Sequence, residues 1–157
     1  MQTFPITSLG LRNLADELHR LKTRERPAVI QALADARTQG EMSENAEYFA
    51  ARERQLFVEG RIAELEDIIA SANVIDPATA SGDHITFGAH VWLLEEDTEN
   101  EVAFQLVGVH EADIKSGRLS TCSPLGRALI GKKIGDSVSV PAPGGERTYY
   151  VQNVKFC

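Results

Sequence analysis

Two apolar seams with coiled-coil spacing dominate the first half of the chain and restrict it to a pair of packed helices. Steps of three and four residues separate the apolar positions, so that each helix can bury one stripe against the other. The first seam contains Leu11, Leu14, Leu18 and Leu21, and the second contains Val58, Ile62, Leu65, Ile69 and Ala72. A short connection makes such helices antiparallel. The sequence therefore predicts a helical hairpin over residues 1–76.

The bend of the hairpin is predicted at residues 40–48. Gly40 suits the end of the first helix, and Ser43 can cap the second, with Glu44 in its first turn. Arms of about thirty residues, at ~1.5 Å per residue, give the hairpin a length of roughly 45 Å. Such a hairpin would hold its bend far from the rest of the chain.

Pro27 interrupts the first arm. A proline in a helix removes one backbone hydrogen bond, so we expect a kink or a break near Arg26. Beyond it, the seam is expected to continue in a shifted register at Ile30, Leu33 and Ala36.

The chain changes character at residues 77–83, where turn-forming residues predict a linker. The short runs that follow are rich in β-branched and aromatic residues, which is typical of strands. These runs are residues 85–87, 90–94, 102–107, 137–140 and 148–151. We expect them to form an antiparallel sheet within a domain of residues 84–157. The fold class is then α+β, with two domains.

Local signals place one helix and one turn in this second domain. Ser123 can cap a short helix that has Pro124 at its first position and Gly131 beyond its end. The tripeptide Pro143-Gly144-Gly145 predicts a hairpin turn. One short helix is therefore expected beside the sheet.

Charge and cysteine content exclude several functional classes. The net charge of −7 disfavours a free nucleic-acid binder, because phosphate contacts need a dominant basic surface. The two widely separated cysteines fit a reduced, cytoplasmic setting. Neither a signal peptide nor a run of ~20 apolar residues is present, so we expect neither export nor membrane insertion.

The four histidines lack metal-ligand spacing, and no phosphate loop or nucleophile elbow occurs, so an independent enzyme is not expected.

The predicted bend carries carboxylates that can serve a hard cation. Glu41 and Glu44 are three residues apart, so their side chains can converge on one ion. Magnesium usually takes one or two protein carboxylates and completes its shell with water and phosphate, so this tip would act inside another protein's site. The simpler alternative is that acids at a helix start only interact favourably with the helix dipole.

Arginines flank the acidic bend on both arms. Arg37 on one arm, and Arg52 and Arg54 on the other, lie close enough to it to hold a phosphate backbone beside the carboxylates. The alternative is a solvated helix surface on which these arginines form ordinary ion pairs with Asp35, Glu47 or Glu53.

Several motifs resemble one known family in the same order along the chain. Residues 34–48, followed by Ala51-Arg52-Glu53 and Glu59-Gly60-Arg61-Ile62, are similar to the hairpin of the bacterial Gre transcript-cleavage factors. Residues 123–132 and Pro143-Gly144-Gly145 resemble the C-terminal domain of the same family. The resemblance covers essentially the whole chain.

This resemblance implies a function exerted through RNA polymerase. The hairpin would enter the secondary channel of the polymerase, while an FKBP-like C-terminal domain docks near the channel entrance. In a backtracked complex the tip acids would help the polymerase to hold a second Mg²⁺ and to hydrolyse its own transcript at the RNA 3′ end. The chain would be a cytoplasmic monomer, with no stably bound cofactor and no catalytic activity of its own.

The resemblance also assigns roles to individual residues. Glu41 and Glu44 would assist the shared magnesium ion. Ser43, Asn45 and Tyr48 would be their neighbours at the tip. Arg37 and Arg52 would contact RNA. The polymerase-docking candidates are Asp113, Ser123, Pro124 and Arg127.

One departure from the family pattern keeps alternatives open. Glu41 and Met42 stand where the family has Asp and usually Leu. The extra methylene moves the carboxylate by ~1.5 Å, and a misplacement of about 1 Å can cost ~10²-fold in rate. A paralogue that binds the channel, cleaves weakly and regulates the polymerase is the second hypothesis.

Two further classes carry less weight. One is a coiled-coil adaptor without catalytic effect. The other is a prolyl isomerase or chaperone, which only the implied fold supports, and fold alone does not establish function. Such an activity needs an aromatic pocket, whereas core packing better explains Trp92, Phe104 and Tyr149.

Overall fold

The structure is a computed structural model that describes residues 3–38, 45–75 and 84–156. It divides into two compact units, Leu11–Ser71 and a second one formed by Met1–Gly10 together with Ala72–Cys157. The predicted linker at residues 77–83 lies outside the described residues. Within the described ranges, no helix is both long and apolar enough to cross a membrane.

Three helices build the helical unit. They are α1 (Ser8–Arg20), which begins just ahead of this unit, α2 (Arg26–Arg37) and α3 (Ala46–Ala70). Apolar side chains on one side of each arm are buried. On the first arm these are Leu14, Leu21, Val29, Leu33 and Ala36, and on α3 they are Ala51, Val58, Ile62, Leu65 and Ile68. The predicted seams are therefore present, with Ile68 more deeply buried than Ile69.

Ion pairs between the arms show that they run antiparallel. Arg26 pairs with Glu59, whereas Lys22, earlier on the first arm, pairs with the later residue Glu66. The Arg61 guanidinium donates two hydrogen bonds to Glu17, at 2.8 and 3.0 Å. This hydrogen bonding, opposed in part by burial, lowers the pKa of the Glu17 carboxyl. The helical hairpin predicted from the two seams is confirmed.

The interruption predicted near Pro27 is a wide helical turn. Residues Leu21–Glu25 form a π-helix, and the backbone N–H of Arg26 bonds to the carbonyl of Leu21, five residues earlier. Pro27 has no N–H to donate, which disturbs the regular ladder at this point. A π turn holds one extra residue, so the seam passes from Leu21 to Val29, a step of eight. The prediction that Ile30 joins the seam is wrong, because its side chain is 53% exposed.

The start of the chain forms a small sheet that the sequence did not predict. Strand β1 (Phe4–Ile6) pairs in parallel with β2 (Ala72–Val74), and the N–H of Ile75 bonds to the carbonyl of Ile6 at 2.9 Å. The helical seam was predicted to reach Ala72, but α3 ends at Ala70 and the chain becomes extended. Ile6 is completely buried, which accounts for the anchoring of this segment.

The larger sheet has five strands, which are β3 His90–Glu95, β4 Glu101–Val107, β5 Arg118–Ser120, β6 Ser137–Ala142 and β7 Gly145–Lys155. Their order across the sheet is β5-β4-β3-β7-β6. Strands β3, β4, β6 and β7 pair antiparallel as predicted, but β5 runs parallel to β4. The α+β fold class is thus confirmed, and the sheet is mixed rather than antiparallel.

Residues 85–87 do not form the predicted strand. Ile85 is completely buried, and its N–H bonds to the carbonyl of Lys132 at 2.7 Å, beside an isolated bridge between His84 and Lys133. Its apolar character therefore reflects the core and not a strand. The core contains Ile85, Ala89, Val91, Leu93, Leu106, Leu119, Leu129, Val138 and Val151.

The short helix and the hairpin turn are where the sequence predicts them. Helix α4 (Pro124–Leu129) starts after Ser123, whose hydroxyl accepts a hydrogen bond from the N–H of Gly126 at 3.0 Å. A Cβ on Gly126 would lie 2.1 Å from the carbonyl oxygen of Ser120, so this helix packs too closely for a side chain there. Gly144 and Gly145 have positive φ angles at the β6–β7 turn.

Within the second unit, a buried carboxylate fastens the N-terminal segment to the residues of the C-terminal part. Glu111, with its side chain 2% exposed, accepts hydrogen bonds from the N–H of Thr7 at 2.8 Å and of Gly108 at 3.1 Å. It also accepts from the Thr7 hydroxyl, and it pairs with Arg118 at 2.6 Å. The Thr7 hydroxyl oxygen in turn accepts from the N–H of Gly10 at the start of α1. We call this group the Glu111 latch.

Replacing Glu111 by Gln should destabilise the protein by about 3 kcal/mol, because it leaves Arg118 partly buried without a charge partner and turns an amide NH₂ toward other donors. Urea unfolding at pH 7 measures the loss. The matched control is Glu66→Gln, which breaks an exposed pair with Lys22 and should cost less than about 1 kcal/mol. Equal losses in the two variants would show that the latch contributes no more than a surface ion pair.

Candidate functional site

One side chain joins the two arms beside the bend. The Asn45 side-chain oxygen accepts a hydrogen bond from the N–H of Tyr48 at 3.1 Å, which makes Asn45 the N-cap of α3. Its side-chain NH₂ donates to the carbonyl of Ala36, in the last turn of α2, at 2.6 Å. Helix ends leave such amides and carbonyls without intrahelical partners. Asn45 satisfies one of each, and we call this pair of bonds the Asn45 brace.

The brace corrects the predicted start of the second helix. Ser43 was predicted as the cap, but α3 begins at Ala46, after Asn45. Asn and Ser are about equally favourable at an N-cap, and only Asn also carries an amide that can reach the other arm. Glu41, Ser43 and Glu44 lie outside the described residues, so their predicted roles stay predictions.

Aromatic residues occupy the first turn of α3. Tyr48, a predicted neighbour of the tip, is half-buried, whereas the next ring, Phe49, is 54% exposed. Their ring centroids are 5.8 Å apart with an interplanar angle of 70°, an edge-to-face arrangement. The sequence did not indicate a role for Phe49, because helical spacing does not reveal that a large apolar side chain is left in solvent.

The arginines of the helical unit differ in their ion pairing. Arg26 and Arg61 are paired with carboxylates, and so is Arg54, which was predicted to flank the bend. Arg37 and Arg52 are exposed, and within the described part of the chain neither pairs with a carboxylate. Arg52 instead donates to the side chain of Gln55.

The competing prediction for Arg37 and Arg52 was ion pairing with Asp35, Glu47 or Glu53. Within the described ranges, neither arginine forms such a pair. Asp35 accepts a hydrogen bond from Gln31 at 2.9 Å. In the described ranges, the charges of Arg37 and Arg52 thus remain free to meet an anion.

The docking candidates are in the second unit and fall into two kinds. Asp113 caps a short 3-10 turn by accepting from the N–H of Lys115 and the hydroxyl of Ser116, and Ser123 caps α4. These two side chains therefore have local structural roles. Pro124 and Arg127 are exposed, as is Asp113, which leaves all three accessible to a partner. Docking at any of the four remains a prediction.

The magnesium prediction depends on residues outside the described ranges. Among the described residues, no group of three or more His, Cys, Asp and Glu side chains could hold a metal ion. Glu41 and Glu44 offer the carboxylate oxygens that suit Mg²⁺, but two carboxylates make a weak site by themselves.

Comparison with known proteins gives full-length matches. A family model described as transcription elongation factor, N-terminal, matches residues 4–74, and one described as transcription elongation factor, GreA/GreB, C-terminal, matches residues 80–156. The chain is 63% identical to transcription elongation factor GreA of Acidiphilium cryptum and 56% identical to that of Rhodospirillum rubrum. Each alignment covers 99% of both chains.

One solved structure is also similar. The structure of the transcription factor Gfh1 aligns at 27% identity over 98% of this chain and 99% of that one, with a TM-score of 0.47. Because this score is below 0.5, the likeness adds nothing to the matches in sequence.

Replacing Asn45 should weaken the helical unit in two steps. Asn45→Asp keeps an acceptor for the N–H of Tyr48 but removes the donor to Ala36, whereas Asn45→Ala removes both. We expect Ala to cost about 1–2 kcal/mol and Asp to cost less. Urea unfolding followed by far-ultraviolet circular dichroism measures both losses. An Asp variant as stable as the unmodified protein would show that the bond between the arms does not stabilise the hairpin.

Proposed function

We propose, because the chain belongs to the GreA/GreB family of transcription elongation factors, that it rescues RNA polymerase from backtracked, arrested states. The hairpin enters the secondary channel of the polymerase and stimulates the polymerase to hydrolyse its own transcript near the 3′ end. The chain acts in trans, as a cytoplasmic monomer. The hydrolytic activity belongs to the polymerase.

The observation that carries this proposal is the Asn45 brace at the end of two antiparallel helices. Delivering carboxylates into a narrow channel requires a slender element whose end does not spread apart. Ion pairs between the arms support the shaft, and the brace joins Ala36 to Asn45 at its end. Residues 39–44, which carry Glu41 and Glu44, connect these two fastened arms. The bond between Asn45 and Ala36 holds the two ends of the arms close together.

The charges of the described residues agree with an RNA contact near the bend. Lys22, Arg26, Arg54 and Arg61 are paired with carboxylates. In the described ranges Arg37 and Arg52 have no carboxylate partner, and neither do Arg20 and Arg24 on the first arm. Guanidinium groups bind phosphate through paired N–H donors. We assign these two arginines to the phosphates of the extruded RNA, which would orient the strand beside the acidic residues.

Glu41 and Glu44 act on the metal chemistry of the polymerase. Carboxylate oxygens are suitable ligands for Mg²⁺. Two carboxylates are too few to bind the ion alone, so the ion would be shared with ligands from the polymerase. When bound, the magnesium ion supplies charge neutralisation at the phosphate and an acidified water molecule. The two carboxylates contribute only after the hairpin has carried them to that phosphate.

The C-terminal unit anchors the factor at the channel entrance. Pro124 and Arg127, which are exposed on α4, provide the accessible contacts in this proposal. Ser123 shapes the surface indirectly, because it caps the same helix. Asp113 likewise holds the 3-10 turn Ile114–Ser116 in place.

Glu41 supports a second candidate function. The family pattern has Asp at this position, and a carboxylate displaced by more than about 1 Å can lose ~10²-fold in rate. The second candidate is a channel-binding regulator of RNA polymerase that cleaves weakly.

Glu44→Ala should abolish stimulated cleavage and leave polymerase binding intact, because it removes a carboxylate without changing the described hairpin. RNA shortening on a stalled, backtracked complex of the cognate polymerase, at several Mg²⁺ concentrations, measures cleavage. Glu47→Ala is the matched control, since Glu47 is an exposed acid in the first turn of α3 and should leave cleavage unchanged. Loss of polymerase binding by Glu44→Ala would contradict a purely catalytic role.

Glu41→Asp separates the two candidate functions. If the longer side chain is a handicap, this variant binds the polymerase equally well and raises the cleavage rate, by up to ~10²-fold. An unmodified protein that binds without shortening RNA at any Mg²⁺ concentration is the channel-binding regulator. If the unmodified protein already stimulates rapid cleavage and Glu41→Asp does not raise the rate, the site accommodates Glu at this position.

A further inference from the structure

We infer that Phe49 is a stacking surface for an unpaired base of the extruded RNA, an inference that rests on the proposed function. The ring is 54% exposed in the first turn of α3. A large aromatic side chain gains most from burial, so its exposure leaves an apolar surface available to a ligand. Nucleobases present flat apolar faces that stack on aromatic rings irrespective of sequence.

The backbone that carries this ring is held in place. The N–H of Phe49 bonds to the backbone carbonyl of Asn45 at 3.1 Å, and the N–H of Tyr48 bonds to the Asn45 side chain. The Asn45 brace ties that residue to the opposite arm. The half-buried Tyr48 ring meets Phe49 edge to face and supports it from one side. A platform ordered in advance loses less conformational entropy when a base stacks on it.

The charge beside Phe49 favours a nucleic acid strand as the ligand. Arg52 is three residues after Phe49, so the two side chains lie on neighbouring positions of one helix face. No carboxylate in the described ranges neutralises Arg52. An aromatic surface for bases beside a cation for the phosphate backbone is the usual arrangement for binding single strands.

The other exposed apolar residues of α3 are less suitable as a stacking surface near the bend. Leu56, seven residues after Phe49, lies on the same face but has no flat ring. Phe57 is 71% exposed, but it lies eight residues along the shaft, among ion-paired arginines. Phe49 is thus an exposed ring close to the acidic bend, where the proposed function places unpaired RNA.

Fluorescence of 2-aminopurine tests the stacking directly. The base is placed at the unpaired 3′ segment of the RNA in a backtracked polymerase complex, and its quenching is followed after rapid mixing with the factor. Phe49→Leu keeps an apolar side chain but removes the ring, and Phe49→Tyr restores it. Phe57→Leu is the matched control, because it removes an exposed ring from the shaft. Circular dichroism confirms that each variant is folded.

We expect quenching by the unmodified protein, by Phe49→Tyr and by Phe57→Leu, and its loss in Phe49→Leu. At saturating factor, Phe49→Leu should also cleave about tenfold more slowly while binding the polymerase equally well. Quenching without cleavage by the unmodified protein would support the stacking and refute the cleavage function.

Three results would overturn the inference. One is unchanged quenching by Phe49→Leu, and another is no quenching by the unmodified protein. The third is a Phe49→Leu variant that loses affinity for the polymerase but still quenches, which would assign the ring to a protein wall of the channel.

Discussion

Joining two antiparallel helices by a short bend leaves carbonyl groups at the end of one helix and amide groups at the start of the next without partners. Asn45 satisfies a group of each kind with a single side chain, since it bonds both to Ala36 and to Tyr48. The features that support the proposed function depend on this arrangement. It fixes the base of the acidic bend and the turn that presents Phe49, and it brings the end of α2, with Arg37, against the start of α3.

In the other unit, Glu111 likewise joins distant parts of the chain through the hydrogen bonds of one side chain. The Glu111 carboxylate is buried, and a buried charge is tolerated only when donors surround it. Thr7, Gly108 and Arg118 provide those donors, and Gly10 and Gly108 leave room because side chains there would collide with Glu111 and with Pro5. This carboxylate, together with the buried Ile6 and the pairing of β1 with β2, holds in place a segment of only a few residues at the start of the chain.

Local patterns predicted much of the fold and long-range contacts explain the rest. The seams, the Ser123 cap and the β6–β7 turn depend on residues close in sequence, and they are present. The β1–β2 sheet and the Glu111 latch join residues far apart, as Thr7 and Glu111 are separated by 104 positions, so spacing could not indicate them. At the site, sequence singled out Arg37 and Arg52 but not Phe49, because exposure is a property of the folded chain.

The π turn at Leu21–Glu25 has a consequence for the angular phase of the hairpin. In a regular α-helix, one extra residue rotates all later side chains by about 100° around the axis. The wide turn absorbs that residue, so that Val29 still meets α3. The number of residues in the Leu21–Glu25 turn therefore sets the direction in which the outward residues of α2 point. Arg37, more than ten positions later, is one of these residues. Length changes within this turn can act as a rotational adjustment of the tip.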